Sequence, residues 1–285
     1  MSSSGKERTA GRIKPVACQG TEGAYSQIAA SRLFPDGSFL YFKNFRAVAR
    51  AVSEGMCRYG VLPIENNTYG SVKDVYRVIG EEQVRIVRGY TLEIDHCLLA
   101  KPGTKPEDVR SVCSHEQALG QCSEFLHELG DKVRVVPSMN TAVAARTVAE
   151  SQDPGAAAIS SKECAELYGL QVIRRHIADT DHNYTRFICV AKEQEELGDA
   201  SRISLMIAIP HRAGSLSAVL KLFADRGINL LKIESAPIPG RDFEFLFYID
   251  IEASCRDPKT REILRELEDM CPMYRFLGNY TEETD

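Results

Sequence analysis

What this 285-residue chain lacks narrows its function first. No apolar run approaches the roughly 18 residues of a transmembrane helix, so no membrane partner is expected. There is no excess of positive charge: 35 Lys+Arg stand against 40 Asp+Glu, a net charge of −5, which speaks against a nucleic-acid-binding face. No C-x-x-C pair occurs among the nine cysteines, an odd and scattered set that fits free thiols in a reducing cytosol better than a disulfide framework or a zinc site. The six histidines show no H-x-x-x-H spacing, so no metal centre is expected. The stretch Gly20-Thr21-Glu22-Gly23-Ala24-Tyr25-Ser26 lacks both the Lys-Ser/Thr of a P-loop and the third glycine of a dinucleotide fingerprint, and no cofactor is indicated. Residues 1–15 are rich in Ser, Gly, Lys and Arg without an apolar core, the pattern of a disordered tail rather than a secretory signal.

What is present is an ordinary globular composition, 44% apolar and 26% charged, in a chain long enough for two or three domains. From 16 to 191, β-rich runs at 16–18, 59–63, 84–90, 95–99, 111–113, 133–136, 156–159 and 187–190 alternate with helical patterns. Helices are expected over 24–34, 45–54, 72–79, 116–129, 141–150 and 162–168. That alternation predicts an α/β class with parallel sheets covered by helices. A charged stretch over 192–200 reads as a linker. Beyond it, strands at 202–209, 228–237, 243–252 and 273–277, with helices at 214–225 and 259–271, give the ferredoxin-like order βαββαβ over 201–280. Residues 281–285 are left as a tail.

Several polar segments fall where helices should start. Ser114-His115-Glu116-Gln117 reads as a capping box with Ser114 as N-cap, and Ser71-x-x-Asp74 and Ser160-x-x-Glu163 repeat the pattern. Asn140-Thr141 opens another helix, and Gly20 to Gly23 precede one beginning near Ala24. Helix starts carry unpaired N–H groups and the positive end of the dipole, so several in one cleft would receive carboxylates with few basic side chains. Each cap also serves stability alone, at about 1 kcal/mol.

The order decides between these uses. Pro63-Ile64-Glu65-Asn66-Asn67, Ser114-His115-Glu116-Gln117-Ala118-Leu119, Asn140-Thr141-Ala142 and Asn183-Tyr184-Thr185-Arg186-Phe187 follow one another as in a prephenate dehydratase, and the resemblance runs from Val16 to Tyr280. It implies a two-lobed, periplasmic-binding-protein-like dehydratase domain over 16–191. The implied reaction converts prephenate to phenylpyruvate with loss of water and CO2. The T-R-F threonine falls on Thr185, which the resemblance makes the catalytic residue, assisting departure of the ring hydroxyl. General-acid help of this kind is worth about 10²–10⁴-fold.

Substrate contacts implied by the resemblance are Thr21, Gly23, Ala24, Tyr25, Ser26, Glu65, Asn66, Asn67, Gly70, Ser71, Ser114, His115, Gln117, Asn140, Thr141, Ala142, Ser160, Asn183, Arg186 and Phe187. Among them Arg186 suits either a substrate carboxylate or an ion pair with Glu65. Glu65 would repel a dianion unless paired or protonated, so it orients neighbours; Phe187 fits the core better than the site. Asn67 stands where the family has serine. His115 invites an acid/base reading, because imidazoles ordinarily titrate near neutrality, and equally a positioning one in a helix's first turn.

Residues 201–280 resemble an ACT domain, a regulatory amino-acid-binding module. Its G-A-L motif appears at Gly214-Ser215-Leu216 and its E-S-R-P at Glu234-Ser235-Ala236-Pro237, with alanine for the usual arginine. Implied effector contacts are Gly214, Ser215, Leu216, Asn229, Leu230, Glu234 and Ser235, L-phenylalanine being the effector and a homodimer or homotetramer the assembly. About 15 residues precede Val16, too few for the chorismate mutase bundle of some relatives. Two readings stay open beside this one: arogenate as substrate, and a non-catalytic cleft coupled to a sensor.

Overall fold

The computed structural model describes residues 14–130, 132–195, 198–237 and 245–284. A first lobe contains β1 (Val16–Gln19), α1 (Tyr25–Leu33), β2 (Phe39–Phe42), α2 (Phe45–Ser53), β3 (Tyr59–Asn66), the short β4 (Gly70–Ser71), α3 (Lys73–Glu81) and β5 (Arg85–Glu93). The chain crosses to a second lobe of β6 (Cys97–Ala100), β7 (Ser111–His115), α4 (Glu116–Gln121), α5 (Ser123–Leu129), β8 (Arg134–Ser138), α6 (Thr141–Glu150), β9 (Ala156–Ser160), α7 (Lys162–Tyr168) and β10 (Gln171–Arg174). It returns as β11 (Tyr184–Ala191). The last part comprises β12 (Arg202–Ala208), α8 (Ser215–Ala224), β13 (Asn229–Pro237), β14 (Phe245–Glu252), α9 (Pro258–Met270) and β15 (Met273–Thr284), the βαββαβ order anticipated.

Two sheets organise these elements. The second lobe holds the order β10-β6-β9-β7-β8. The larger sheet runs β13-β14-β12-β15-β5-β11-β3-β1-β2, so the ferredoxin-like module and the first lobe share one continuous sheet. The joint is β15: Arg202 to Ala208 pair antiparallel with its first part, and Thr281 to Thr284 pair parallel with Arg88 to Thr91 of β5. Residues 281–284 are therefore strand, not the expected tail. Gly278 makes the crossing possible, since a Cβ there would lie 2.1 Å from the Ile86 carbonyl oxygen.

The expectation of parallel sheets needs correction too. β1 pairs parallel with β2 and β3, but β11 lies antiparallel between β3 and β5, because the chain re-enters from the second lobe at the opposite end. Strands β2, β4 and β10 were not anticipated. The expected helix over 116–129 breaks at Cys122 into α4 and α5, and the Asp179 carboxylate accepts from the Ser123 and Glu124 amides that the break exposes. Residues 1–13 of the expected tail lie outside the described residues. Lys14 and Pro15 bond to the body through the Gly55 carbonyl and the Arg58 amide. The 192–200 segment is likewise pinned, with Gln194 bonded to the backbone of Asn279 and Glu195 to the Tyr59 hydroxyl. Its residues 196 and 197, and residues 243 and 244 of the strand expected over 243–252, fall outside the described segments.

The cores follow the sheet. One apolar cluster joins Val48, Val52, Leu62, Ile64, Tyr76 and Ile79 of the first lobe to Met206, Tyr248, Leu277 and Tyr280 of the C-terminal module. Tyr76 packs on Tyr248 with ring centroids 4.6 Å apart. Fully burying each such side chain contributes about 1.5–3 kcal/mol, so this shared core binds the two parts into one body.

Candidate active site

Three expected N-caps, Ser114, Ser160 and Ser71, lie one residue before the observed ones. Strand pairing carries β7 through His115 and β9 through Ser160, so the caps are His115 and Ser161, whose side chains accept from the Gln117 and Cys164 amides. Ser114 is fully buried and donates to the Ile159 carbonyl at 2.7 Å, and Ser160 is fully buried in β9. Ser71 pairs with Glu65 in β4, leaving Val72 to precede α3 without a side-chain cap. In each case one more residue of ladder hydrogen bonding outcompeted a local side-chain bond. Asn140 does cap α6, accepting from the Val143 amide at 2.7 Å, and Ala24 precedes α1.

Between the lobes lies a cavity of about 330 Å³. Of the residues singled out from sequence, Ala24, Tyr25, Ser26, Asn66, His115, Gln117, Asn140, Thr141, Thr185 and Phe187 line it. Gly70 and Ser71 line an open shoulder that shares Asn66, His115 and Gln117 with it. Among the described residues no Lys, Arg, Asp or Glu lines the cavity. The first-turn N–H groups of α1 (Tyr25, Ser26) and α6 (Thr141, Ala142) lack acceptors within their own helices.

A β-bulge aims the central pair. Between Arg186 and Phe187 the register of β11 on β3 shifts, so that Ile64 and Glu65 together oppose Arg186 while Pro63 and Asn66 both face the cavity. Thr185 pairs with Asn66. The Asn66 amide oxygen accepts from the Thr68 and Tyr69 amides, each at 3.0 Å, which fixes the orientation of the group. Its nitrogen then donates to Thr185 Oγ1 at 3.0 Å and to Asn183 Oδ1 at 3.0 Å. Thr185 thus accepts from Asn66, and its own hydroxyl proton stays free for the cavity.

The network continues through residues that the sequence had not marked. Gln121 Nε2 donates to Asn183 Oδ1 at 3.3 Å, Gln121 Oε1 faces His96 Nε2 at 2.8 Å, and His96 Nδ1 faces the Tyr25 hydroxyl at 3.2 Å. With the proton on His96 Nε2, Nδ1 shares the Tyr25 hydroxyl proton with the Asp95 carbonyl, 3.3 Å from the same oxygen. His96 is 2% exposed, and burial lowers its pKa while burial also raises that of Tyr25, so both stay neutral. Gln121 was legible in principle, one helical turn after Gln117 on the same face. His96 gave no local signal.

Other expected contacts stand elsewhere. Arg186 is turned away from the cavity and bonded to Asp250, Glu282 and Tyr280 of the C-terminal module, so it is not free for a substrate carboxylate. Glu65 faces the same way and pairs with Lys232 at 2.7 Å. Asn67 ties the β3 end to the His182 carbonyl and the Tyr184 amide, and Asn183 lies buried behind Asn66. Thr21 is not among the cavity residues. Gly23 and Ala142 supply close packing: with φ at +84°, Gly23 has Cys164 Sγ 2.8 Å from where a Cβ would sit and the Ala142 methyl at 3.6 Å. In the C-terminal module, Gly214 (φ +85°) precedes α8, Ser215 and Leu216 open it, and Asn229, Leu230, Glu234 and Ser235 lie on β13 at the free edge of the sheet. Glu234 points toward Lys232 at 3.5 Å and Lys73 at 3.9 Å. Ala236, the alanine in place of arginine, packs against the shared core.

Fold and cavity together define a two-lobed α/β enzyme whose cleft is lined without charged side chains among the described residues and whose central sheet extends into a ferredoxin-like module. The chain belongs to the prephenate dehydratase family: the family model for prephenate dehydratase matches residues 16–195, and that for the ACT domain matches residues 203–271. A chloroplastic arogenate dehydratase/prephenate dehydratase of Arabidopsis thaliana is 36% identical over 281 residues, covering 93% of this chain and 71% of that protein. The structure of prephenate dehydratase from Arthrobacter aurescens in complex with L-Phe is 29% identical with a TM-score of 0.85, covering 94% of this chain and 90% of that one. GqqA, described as a novel type of quorum quenching acylase, is also 29% identical, with a TM-score of 0.84 and coverage of 93% and 97%.

Proposed function

We propose that the enzyme converts prephenate to phenylpyruvate, with Thr185 as proton donor. The observation that carries this is the fixed Asn66 amide, which occupies a lone pair of Thr185 Oγ1 at the cavity wall and leaves the hydroxyl proton unclaimed. The bond from ring C4 to its hydroxyl breaks as Thr185 passes a proton to the departing oxygen. The ring carboxylate leaves as CO2, and its bonding electrons complete the aromatic ring. Solvent returns the proton to Thr185. The starts of α1 and α6 hold the two substrate carboxylates.

Prephenate is favoured over arogenate because no Asp or Glu among the described lining residues stands ready for the ammonium of arogenate. Phenylalanine as feedback effector is supported by the Arthrobacter complex with L-Phe and by the ACT match. The exposed Leu231 and Ile233 on edge strand β13 support assembly through that edge into a homo-oligomer. All nine cysteines are free, which supports a reducing, cytoplasmic setting.

The test is phenylpyruvate formation from prephenate, with arogenate in parallel and phenylalanine added or omitted. Prephenate-selective turnover slowed by phenylalanine is expected. Turnover of arogenate alone would transfer the assignment to the sister substrate, and turnover of neither would end the enzymatic reading.

A further inference from the structure

The buried charges that the reaction does not use are concentrated behind its centre. Register pairs Thr185 with Asn66 and, one residue on, Arg186 with Glu65. The first pair faces the cavity and the second faces the ACT sheet. Every strand of that sheet supplies a partner to the second pair or its carboxylates. Lys232 of β13 bonds Glu65 Oε1 at 2.7 Å and Ser71 Oγ at 2.5 Å, and lies over the Tyr76 ring. Asp250 of β14 accepts from Arg186 at 2.9 Å, and Glu282 of β15 accepts from it at 2.8 Å. Arg202 of β12 approaches both carboxylates, at 3.8 and 3.2 Å, and Ser204 bonds Asp250 and Tyr280. The Asp250 side chain is 2% exposed, Arg186 10% and Lys232 11%, while Glu65, at 35%, still reaches solvent.

We propose that Glu65 and Arg186 are positioning residues through which the ACT sheet sets the catalytic hydroxyl of Thr185. The buried Arg186–Asp250 pair cannot be opened without leaving an unpaired charge in a dry interior, and the nearly buried Lys232 would lose its carboxylate partner if Glu65 moved away. A displacement of β13 or β14 is therefore passed on to Glu65 and Arg186 rather than absorbed at the interface. Neither residue can move without its chain neighbour: Arg186 shares a peptide bond with Thr185, and Glu65 with Asn66. The contact at stake is the 3.0 Å bond from Asn66 Nδ2 to Thr185 Oγ1. A misplacement of about 1 Å at a reacting group costs up to about 10²-fold in rate. Lys232 is the most direct line, because it sits on β13 between Leu230 and Glu234, the strand that carries several of the candidate effector contacts.

The inference rests on the reading of Thr185 as proton donor, and the experiment separates the two. In the full chain, Lys232→Met, Lys232→Arg and Asp250→Asn are assayed for kcat and KM on prephenate and arogenate, with and without phenylalanine. Backbone amide exchange is followed in peptides spanning 61–67 and 183–189. Lys232→Met is expected to lower kcat at least about tenfold with KM within about twofold, to blunt the response to phenylalanine, and to speed exchange in both peptides. Lys232→Arg should recover most of each. Asp250→Asn should repeat the pattern more strongly; if it does not fold, Lys232→Met decides alone. A folded Lys232→Met with kcat within about twofold of the unmodified enzyme and unchanged exchange overturns the inference. If the unmodified chain turns over neither substrate yet Lys232→Met still speeds exchange at 183–189, the assigned reaction fails and the coupling stands. If exchange is also unchanged, both fail.

Discussion

At the residue scale, the site is a matter of which way one amide and one hydroxyl point. Asn66 is held by two backbone N–H donors, so its nitrogen must face Thr185, and the threonine is left as a donor toward the cleft. Thr185→Ala should lower kcat by about 10² or more with little change in KM, and Thr185→Ser should keep part of the activity, as steady-state kinetics would show. Asn66→Ala leaves the hydroxyl in place but unaimed, and kcat should fall at least about tenfold. His96 carries a pH dependence of stability. Burial lowers its pKa below the ordinary 6.5, so the unfolded chain takes up a proton at a higher pH than the folded one does. Stability is then fully present above about pH 6.5 and declines as pH falls below it. Denaturant midpoints at pH 8 and 5.5 should differ, and the gap should narrow in His96→Gln.

At the scale of elements, helix starts and strand ends compete for the same residues. His115 and Ser161 became caps because β7 and β9 each ran one residue further than the local capping pattern implied. Local pattern could place the helices, but it could not weigh a cap against a ladder bond made to a distant strand. Asn140, with no such competitor, was legible from its position alone. Asn140→Ala should cost about 1 kcal/mol in denaturation and, if α6 holds a carboxylate, raise KM. Gly278 is the corresponding position for the sheet. Gly278→Ala would press a methyl against the Ile86 carbonyl where β15 passes β5, and should destabilise by at least about 1–3 kcal/mol on thermal melting.

At the scale of the molecule, the ACT module is not an appendage. Its last strand is a neighbour of β5 in the catalytic lobe, its Met206 and Tyr248 belong to the lobe's core, and its Asp250 neutralises the arginine next to Thr185. A fragment ending at residue 200 should therefore be poorly soluble and inactive rather than active and unregulated, which expression and assay of that fragment would show. The sequence by itself determined the α/β alternation over 16–191, apart from β2, β4 and β10, and the βαββαβ plan over 201–280, while its contiguous motifs pointed to the two-lobed family to which Thr185 and Asn66 belong, because periodicity and motifs are local in the chain. Only the tertiary structure decided that Arg186 and Glu65 face away from the cavity, that His96 and Gln121 stand behind Thr185, and that residues 281–284 are a strand. Each of these depends on a bulge, a register or a partner far off in sequence. Which side of a strand a residue faces is set by the pairing it enters, and that pairing is not written in its neighbours.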